Sequence, residues 1–102
     1  EYMINRLLEQ NSGIILIAPN ILGAKYGDVQ NDRLIQYVKV VRHLARKYKL
    51  GLVDNYKLFI KFQRKSGESY DSLMLDGVHP NDRGHELIAG ELVKEVLKIL
   101  KN

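Results

Sequence analysis

Cysteine is absent from the 102-residue sequence, which excludes disulfides and thiolate-held metal ions. No apolar run approaches the roughly 18 residues that a membrane span requires, so no such span is predicted. Internal repeats and low-complexity segments are not evident either. A helix cap is also lacking at the start. Met3, Ile4, Leu7 and Leu8 set up helical periodicity directly after Glu1, with no Ser, Thr, Asp or Asn ahead of them. The expectation is that this chain is the later part of a longer protein, residues 1–102 forming one partial domain. The rest of the composition is ordinary, with 45% hydrophobic and 27% charged residues, the balance of a globular domain with a modest core.

The formal charge of +4 is unevenly spread. Arg33, Lys39, Arg42, Arg46, Lys47, Lys49, Lys57, Lys61, Arg64 and Lys65 lie in one segment whose only acid is Asp54. A basic segment can attract an anionic partner. Here the charges fall on the polar sides of predicted helices, without interleaved aromatics, so a solvated face is the plainer reading. Nucleic acid is set aside as a partner. A non-catalytic binding or structural module with a basic helix face stays open as the alternative function.

Apolar periodicity gives the architecture. "GIILIAPN" (Gly13 to Asn20) is a short, β-branched apolar run ended by Pro19, read as a strand buried on both faces. From about Asp28 to Tyr48, the residues Leu34, Val38, Val41, Ala45 and Tyr48 recur at helical spacing. Gly51 follows as the stop signal, and Leu52 to Asp54 form a second strand. Asp54 or Asn55 then caps a helix through Leu58, Phe59 and Phe62. Arg64 to Asp71 reads as a loop. Asn81 or Asp82 opens a last helix whose stripe is Leu87, Ile88, Leu92, Val93, Val96, Leu97 and Leu100. Strands alternating with helices imply an α/β fold with parallel strands and helices on both faces. Two strands are few for a sheet, so the pattern looks like half of a three-layer α/β domain.

The chemistry-bearing stretch is "LMLDGVHPNDRGHELIAGELV", residues 73 to 93. Gly77 and Pro80 argue against a helix across Asp76 and His79 and for a turn instead. A tight turn can return the Asp76 carboxylate to the Nδ1–H of His79. That contact fixes the tautomer and leaves Nε2 free to accept a proton. Taken alone, the D-x-x-H spacing is more simply an Asx turn with an incidental histidine. A second use of these residues is a metal site, since Asp82, His85 and Glu86 can share a helical face near His79. His85 is otherwise expected to hydrogen-bond or pack at the helix start.

"DGVHPN", followed by Gly84, His85 and an apolar helix, resembles the last conserved block of the SGNH (GDSL) hydrolases, the GDSL-like lipase/acylhydrolase family. "GIILIAPN" resembles the strand and proline before that family's substrate-side loop. "DRLIQYVKVVRHLARKYKLGLVDNY" resembles its penultimate helix and strand, with Val53 and Asp54 as the strand ending. The resemblance implies part of a three-layer α/β/α, flavodoxin-like fold and a carboxylic-ester hydrolase with a Ser-His-Asp mechanism. It makes His79 the general base and then acid, and Asp76 the residue that orients it. Pro80 and Asn81 would shape the turn. It implies no cofactor and a small-molecule ester substrate.

The family's Gly-Asp-Ser block, and the glycine and asparagine that complete its oxyanion hole, have no counterpart here. "YGDVQND" (Tyr26 to Asp32) has Val29 where the serine belongs and follows the wrong strand, so it is read as a loop leading into the next helix. Ser12, Ser66, Ser69 and Ser72 are the only serines, and none lies in a strand-to-helix turn that would expose its hydroxyl. This chain alone is therefore expected to be inactive. Its expected partner is the missing N-terminal half of the domain or a second copy that covers its strand edges.

Overall fold

A computed structural model of the chain describes residues 1–9 and 13–101. Helix α1 (Tyr2–Glu9) precedes strand β1 (Ile15–Ala18), and helix α2 (Gly27–Tyr48) leads to strand β2 (Gly51–Asp54). Helix α3 (Asn55–Ser66) and helix α4 (Asp82–Lys101) follow, separated by a 3-10 turn at Tyr70–Leu73. The strands pair in parallel, with Ile15 opposite Gly51 and Ala18 opposite Asp54. The alternation read from the sequence is therefore present, with β1 shorter than its apolar run and β2 one residue longer than predicted. Pro19 contributes no N–H to a ladder, and β1 ends just before it.

The ends of the elements have local causes. Helix α2 buries Val38 and Ala45 from its predicted stripe. It stops at Lys49, which takes the left-handed conformation (φ 54°) and returns its N–H to the carbonyls of Ala45 and Arg46. The predicted stop, Gly51, is instead the first residue of β2. Its smallness serves packing, because a Cβ there would lie 3.1 Å from Ile15 Cγ1 and 3.2 Å from Glu95 Oε2. Asp54 caps α3 by accepting the Lys57 N–H at 3.0 Å. Helix α3 runs to Ser66 and ends on Gly67 at φ 76°, so the predicted loop begins later than Arg64.

Helices lie on both faces of the strand pair. Gly51 and Asp54, three apart, point to opposite faces of β2. Gly51 faces Glu95 of α4, while Asp54 binds Arg42 of α2 at 2.6 Å. The main apolar cluster joins Ile21, Phe59, Leu73 and Met74, with Leu87 and Ile88 of α4 against it. It fastens the segment leading into the 73–81 turn to α3 and α4.

Two burial expectations are corrected. Ile17, read as buried between two layers, is 54% exposed, because among the described residues β1 has a neighbour on one edge only. The stripe of α4 is inward only in its first half, with Val93, Val96, Leu97 and Leu100 exposed. A 20-residue helix is about 30 Å long, whereas a four-residue strand spans about 13 Å. The strands therefore cover only part of α4, which still meets them in its far half at Glu95 beside Gly51.

Phe59 is fully buried in the central cluster. Phe59→Ala is expected to remove about 3–5 kcal/mol of stability, a large share for a small domain. Urea unfolding followed by circular dichroism checks this, and an unshifted midpoint would contradict the assigned core.

Candidate active site

The 73–81 segment is a narrow hairpin laid against the loop after β1. Met74 and Pro80 form an antiparallel bridge. The Leu75 N–H donates to the His79 carbonyl at 2.7 Å, and the Asn81 N–H to the Leu73 carbonyl at 2.8 Å. Gly77 sits at the bend with φ 85°, a left-handed value that favours glycine. Its face is also closed to side chains, since a Cβ would come within 2.8 Å of both Lys25 Cε and Tyr26 Cε2. Its carbonyl accepts the Gly23 N–H at 2.8 Å, joining the two loops.

Asn81 anchors the other end of the hairpin. Its Nδ2 donates to the Ser72 carbonyl at 2.8 Å and its Oδ1 accepts the Gly84 N–H at 3.0 Å, which makes it the N-cap of α4. Gly84 is buried where a Cβ would overlap the Leu73 carbonyl oxygen. Only glycine permits this close approach of α4 to the hairpin.

The turn brings Asp76 and His79 together. Asp76 Oδ1 accepts the backbone N–H groups of Val78 at 2.9 Å and His79 at 2.7 Å. Its Oδ2 lies 2.8 Å from His79 Nδ1. The backbone N–H of His79, then its ring, then the Val78 N–H hold the Asp76 carboxyl far below the usual carboxylate range. An ionised carboxylate is acceptor-only, so Nδ1 carries the proton of the neutral ring and Nε2 presents a lone pair. The His79 side chain is 72% exposed and that of Asp76 50%. The arrangement thus presents Nε2 as a proton acceptor on an open surface. It is both the plain Asx turn and the oriented histidine, since one carboxylate makes the two.

The other candidate residues are elsewhere or otherwise engaged. Asp54 caps α3 and pairs with Arg42. Ser66 Oγ donates to the Phe62 carbonyl, Ser72 Oγ to the Ser69 carbonyl, and Ser69 Oγ accepts the Asp71 N–H. Ser12 lies outside the described residues. Asp82, His85 and Glu86 are exposed on the first turns of α4. Among the described residues no group of three or more His, Asp or Glu is placed to hold a metal ion. "YGDVQND" is largely helical rather than a loop, and Asn31 exchanges hydrogen bonds with both the N–H and the carbonyl of Leu22. Of the basic segment, Arg42 is paired with Asp54 and Lys47 with Glu1. The cleft beside Arg42, Arg46, Leu52, Asp54 and Lys57 is lined by no residue of the hairpin.

Three contributors escaped the sequence reading: Asn20, Gly23 and Tyr26. Asn20 Nδ2 donates to the Val78 carbonyl at 3.2 Å, and the Tyr26 hydroxyl lies 3.4 Å from the Asp76 carbonyl oxygen. The only hint was the position of Asn20, directly after Pro19 at a strand's end.

The family model described as GDSL-like Lipase/Acylhydrolase matches residues 3–92. Among solved structures, an acetyl xylan esterase superposes with a TM-score of 0.77 at 25% identity, covering 91% of this chain and 50% of that one. A catalytic mutant of an acetylxylan esterase from Geobacillus stearothermophilus gives a TM-score of 0.70 at 26% identity, over 92% of this chain and 43% of that one. A member of the lipolytic protein G-D-S-L family from Veillonella parvula gives 0.66 at 17% identity, over 91% and 48%, a likeness of fold. The chain spans about half the length of the solved structures it is similar to. No curated protein matches the sequence.

Because folding lowers the Asp76 pKa, its bonds contribute fully above the unfolded value of about 3.9. They are lost only as pH falls through the depressed folded value. A carboxyl carbon NMR titration is expected to place the Asp76 midpoint well below about 3.9. In His79→Ala most of the depression should remain, since the backbone N–H, its largest cause, survives. A midpoint at the ordinary value in the unsubstituted chain would contradict the three-bond turn.

Proposed function

The chain belongs to the GDSL-like lipase/acylhydrolase family, and from that premise we propose that it carries the acid–base half of an ester-hydrolase site. His79 is the general base and then the general acid, and Asp76 orients it. The observation that carries this reading is the 2.8 Å contact of His79 Nδ1 with Asp76 Oδ2, which leaves Nε2 as the proton acceptor. Two structural neighbours are acetylxylan esterases, which supports an ester carbonyl as the target. The Geobacillus stearothermophilus neighbour is a catalytic mutant with serine replaced by alanine, which supports a serine nucleophile.

In this mechanism Nε2 removes the proton of a serine hydroxyl as its oxygen attacks the ester carbonyl. Asp76 stabilises the imidazolium that forms. The proton then passes to the leaving alkoxide, giving an acyl-enzyme, and His79 activates water to release the acid. No cofactor takes part.

The serine and the donors for the oxyanion come from outside these 102 residues. Ser66, Ser69 and Ser72 are committed to local turns and caps, and a misplaced nucleophile without an oxyanion hole is weak, as even one such donor is worth about 10²–10³ in rate. The partial-domain reading draws support from the half-length coverage of the neighbours. It also draws on the one-sided pairing of β1 and the exposed Ile17, Val93, Leu97 and Leu100. The partner is then a segment that pairs with β1, supplies the serine and covers this apolar surface. The substrate class is a small or polymer-borne ester, acetyl esters of sugars being the form nearest to the neighbours.

The chain alone is expected to give no turnover of p-nitrophenyl acetate. Addition of a family N-terminal half bearing the Gly-Asp-Ser block should produce turnover. His79→Ala should then abolish it, and Asp76→Asn should lower it by about 10³–10⁴-fold. Robust hydrolysis by the chain alone would overturn the external nucleophile, and restored turnover that survives His79→Ala would overturn the assigned base.

A further inference from the structure

The backbone of His79 is restrained before its ring makes any contact. The peptide unit joining Val78 to His79 is held at both ends. Its N–H donates to Asp76 Oδ1 at 2.7 Å, and its carbonyl accepts from Asn20 Nδ2 at 3.2 Å. The next carbonyl, that of His79 itself, accepts the Leu75 N–H at 2.7 Å. Asn20 is 58 residues away in sequence and follows the end of β1. Its amide also donates to the Ile21 carbonyl at 3.1 Å and lies 3.9 Å from Met74 Sδ. The side chain thus ties three things together: the strand end, the loop after it, and the carbonyl just before the histidine.

A planar peptide unit moves mainly by rotation about the single bonds flanking it. With its N–H alone held, the Val78 carbonyl can swing while the Asp76 bond persists. With the oxygen also held, the plane is fixed, and the Leu75 N–H on the His79 carbonyl limits the remaining rotation about the His79 N–Cα bond, so that the direction of its Cα–Cβ bond is restrained. Asp76 sits on the same hairpin as His79 and moves with it. Gly23 ties the hairpin to the loop after β1 at Gly77, and Asn20 does so at the carbonyl next to the histidine.

We propose that Asn20 is a positioning residue for His79, fixing the Val78–His79 peptide plane so that the ring keeps Nδ1 on Asp76 and Nε2 outward. The inference rests on the reading of His79 as the base. It requires a donor at position 20: an aspartate has the same shape but offers the Val78 carbonyl only acceptors.

The test uses the full chain with ¹⁵N-labelled histidine. In the unsubstituted protein, the neutral His79 ring should be mainly Nδ1-protonated. In both Asn20→Ala and Asn20→Asp, that share should fall, and the His79 backbone N–H should exchange about three- to tenfold faster, the effect of one lost hydrogen bond. Val38→Ala, a buried change on α2 outside the Leu73 and Met74 cluster, should lower thermal stability and leave both signatures unchanged. Unaltered signatures in the two Asn20 variants would overturn the positioning role alone. An equal change in Val38→Ala would also overturn it, by tracing the effect to general loosening. An unsubstituted ring with the tautomer balance of free histidine would overturn the oriented base as well.

Discussion

One carboxylate organises the region on which the proposed function depends. Asp76 accepts three N–H groups within the next three residues, two from the backbone and one from the His79 ring. An anion so satisfied stays ionised, and an ionised acceptor beside Nδ1 leaves a single tautomer for the neutral ring. The dyad needs no burial to be ordered. Its order comes from the turn, which is why an exposed pair on a small α/β chain can still hold a defined geometry.

The fold's contribution is to hold that turn at the end of β1. Gly23 and Gly77 bring two loops into backbone contact, and Gly84 lets α4 start directly against the Leu73 carbonyl. Asn81 closes the hairpin and caps α4 with one side chain. Leu73 and Met74 root the segment in the core beside Phe59. At the three glycines a backbone contact takes the place of side-chain bulk. Beyond them, Ile17 on β1 and Val93, Val96, Leu97 and Leu100 on α4 are exposed, apolar side chains suited to cover by an additional layer of the same domain.

Much of this was legible in the sequence because it rests on local pattern. The 3.6-residue stripes gave α2 and the inward start of α4, and the short apolar runs gave two parallel strands. Asp76, Gly77, His79 and Pro80 spelled out the turn. Lys49 hid the end of α2, since a non-glycine residue took the left-handed position and the nearby glycine served packing instead. The exposed half of α4 was hidden too, because periodicity reports an apolar stripe without reporting what covers it. Asn20 was hinted at only by its place after Pro19 at a strand's end. Its role is a single amide reaching 58 residues along the chain, and no local spacing encodes such a contact.

The central claim is that the proton acceptor resides in this chain while the nucleophile does not. Labelling with a fluorophosphonate probe, which captures only an activated serine, tests it most directly. Mixed with a family N-terminal half, this chain should cause that half to be labelled, and its His79→Ala form should not. Labelling of Ser66, Ser69 or Ser72 in the chain itself, or equal labelling of the partner half without the chain, would contradict it.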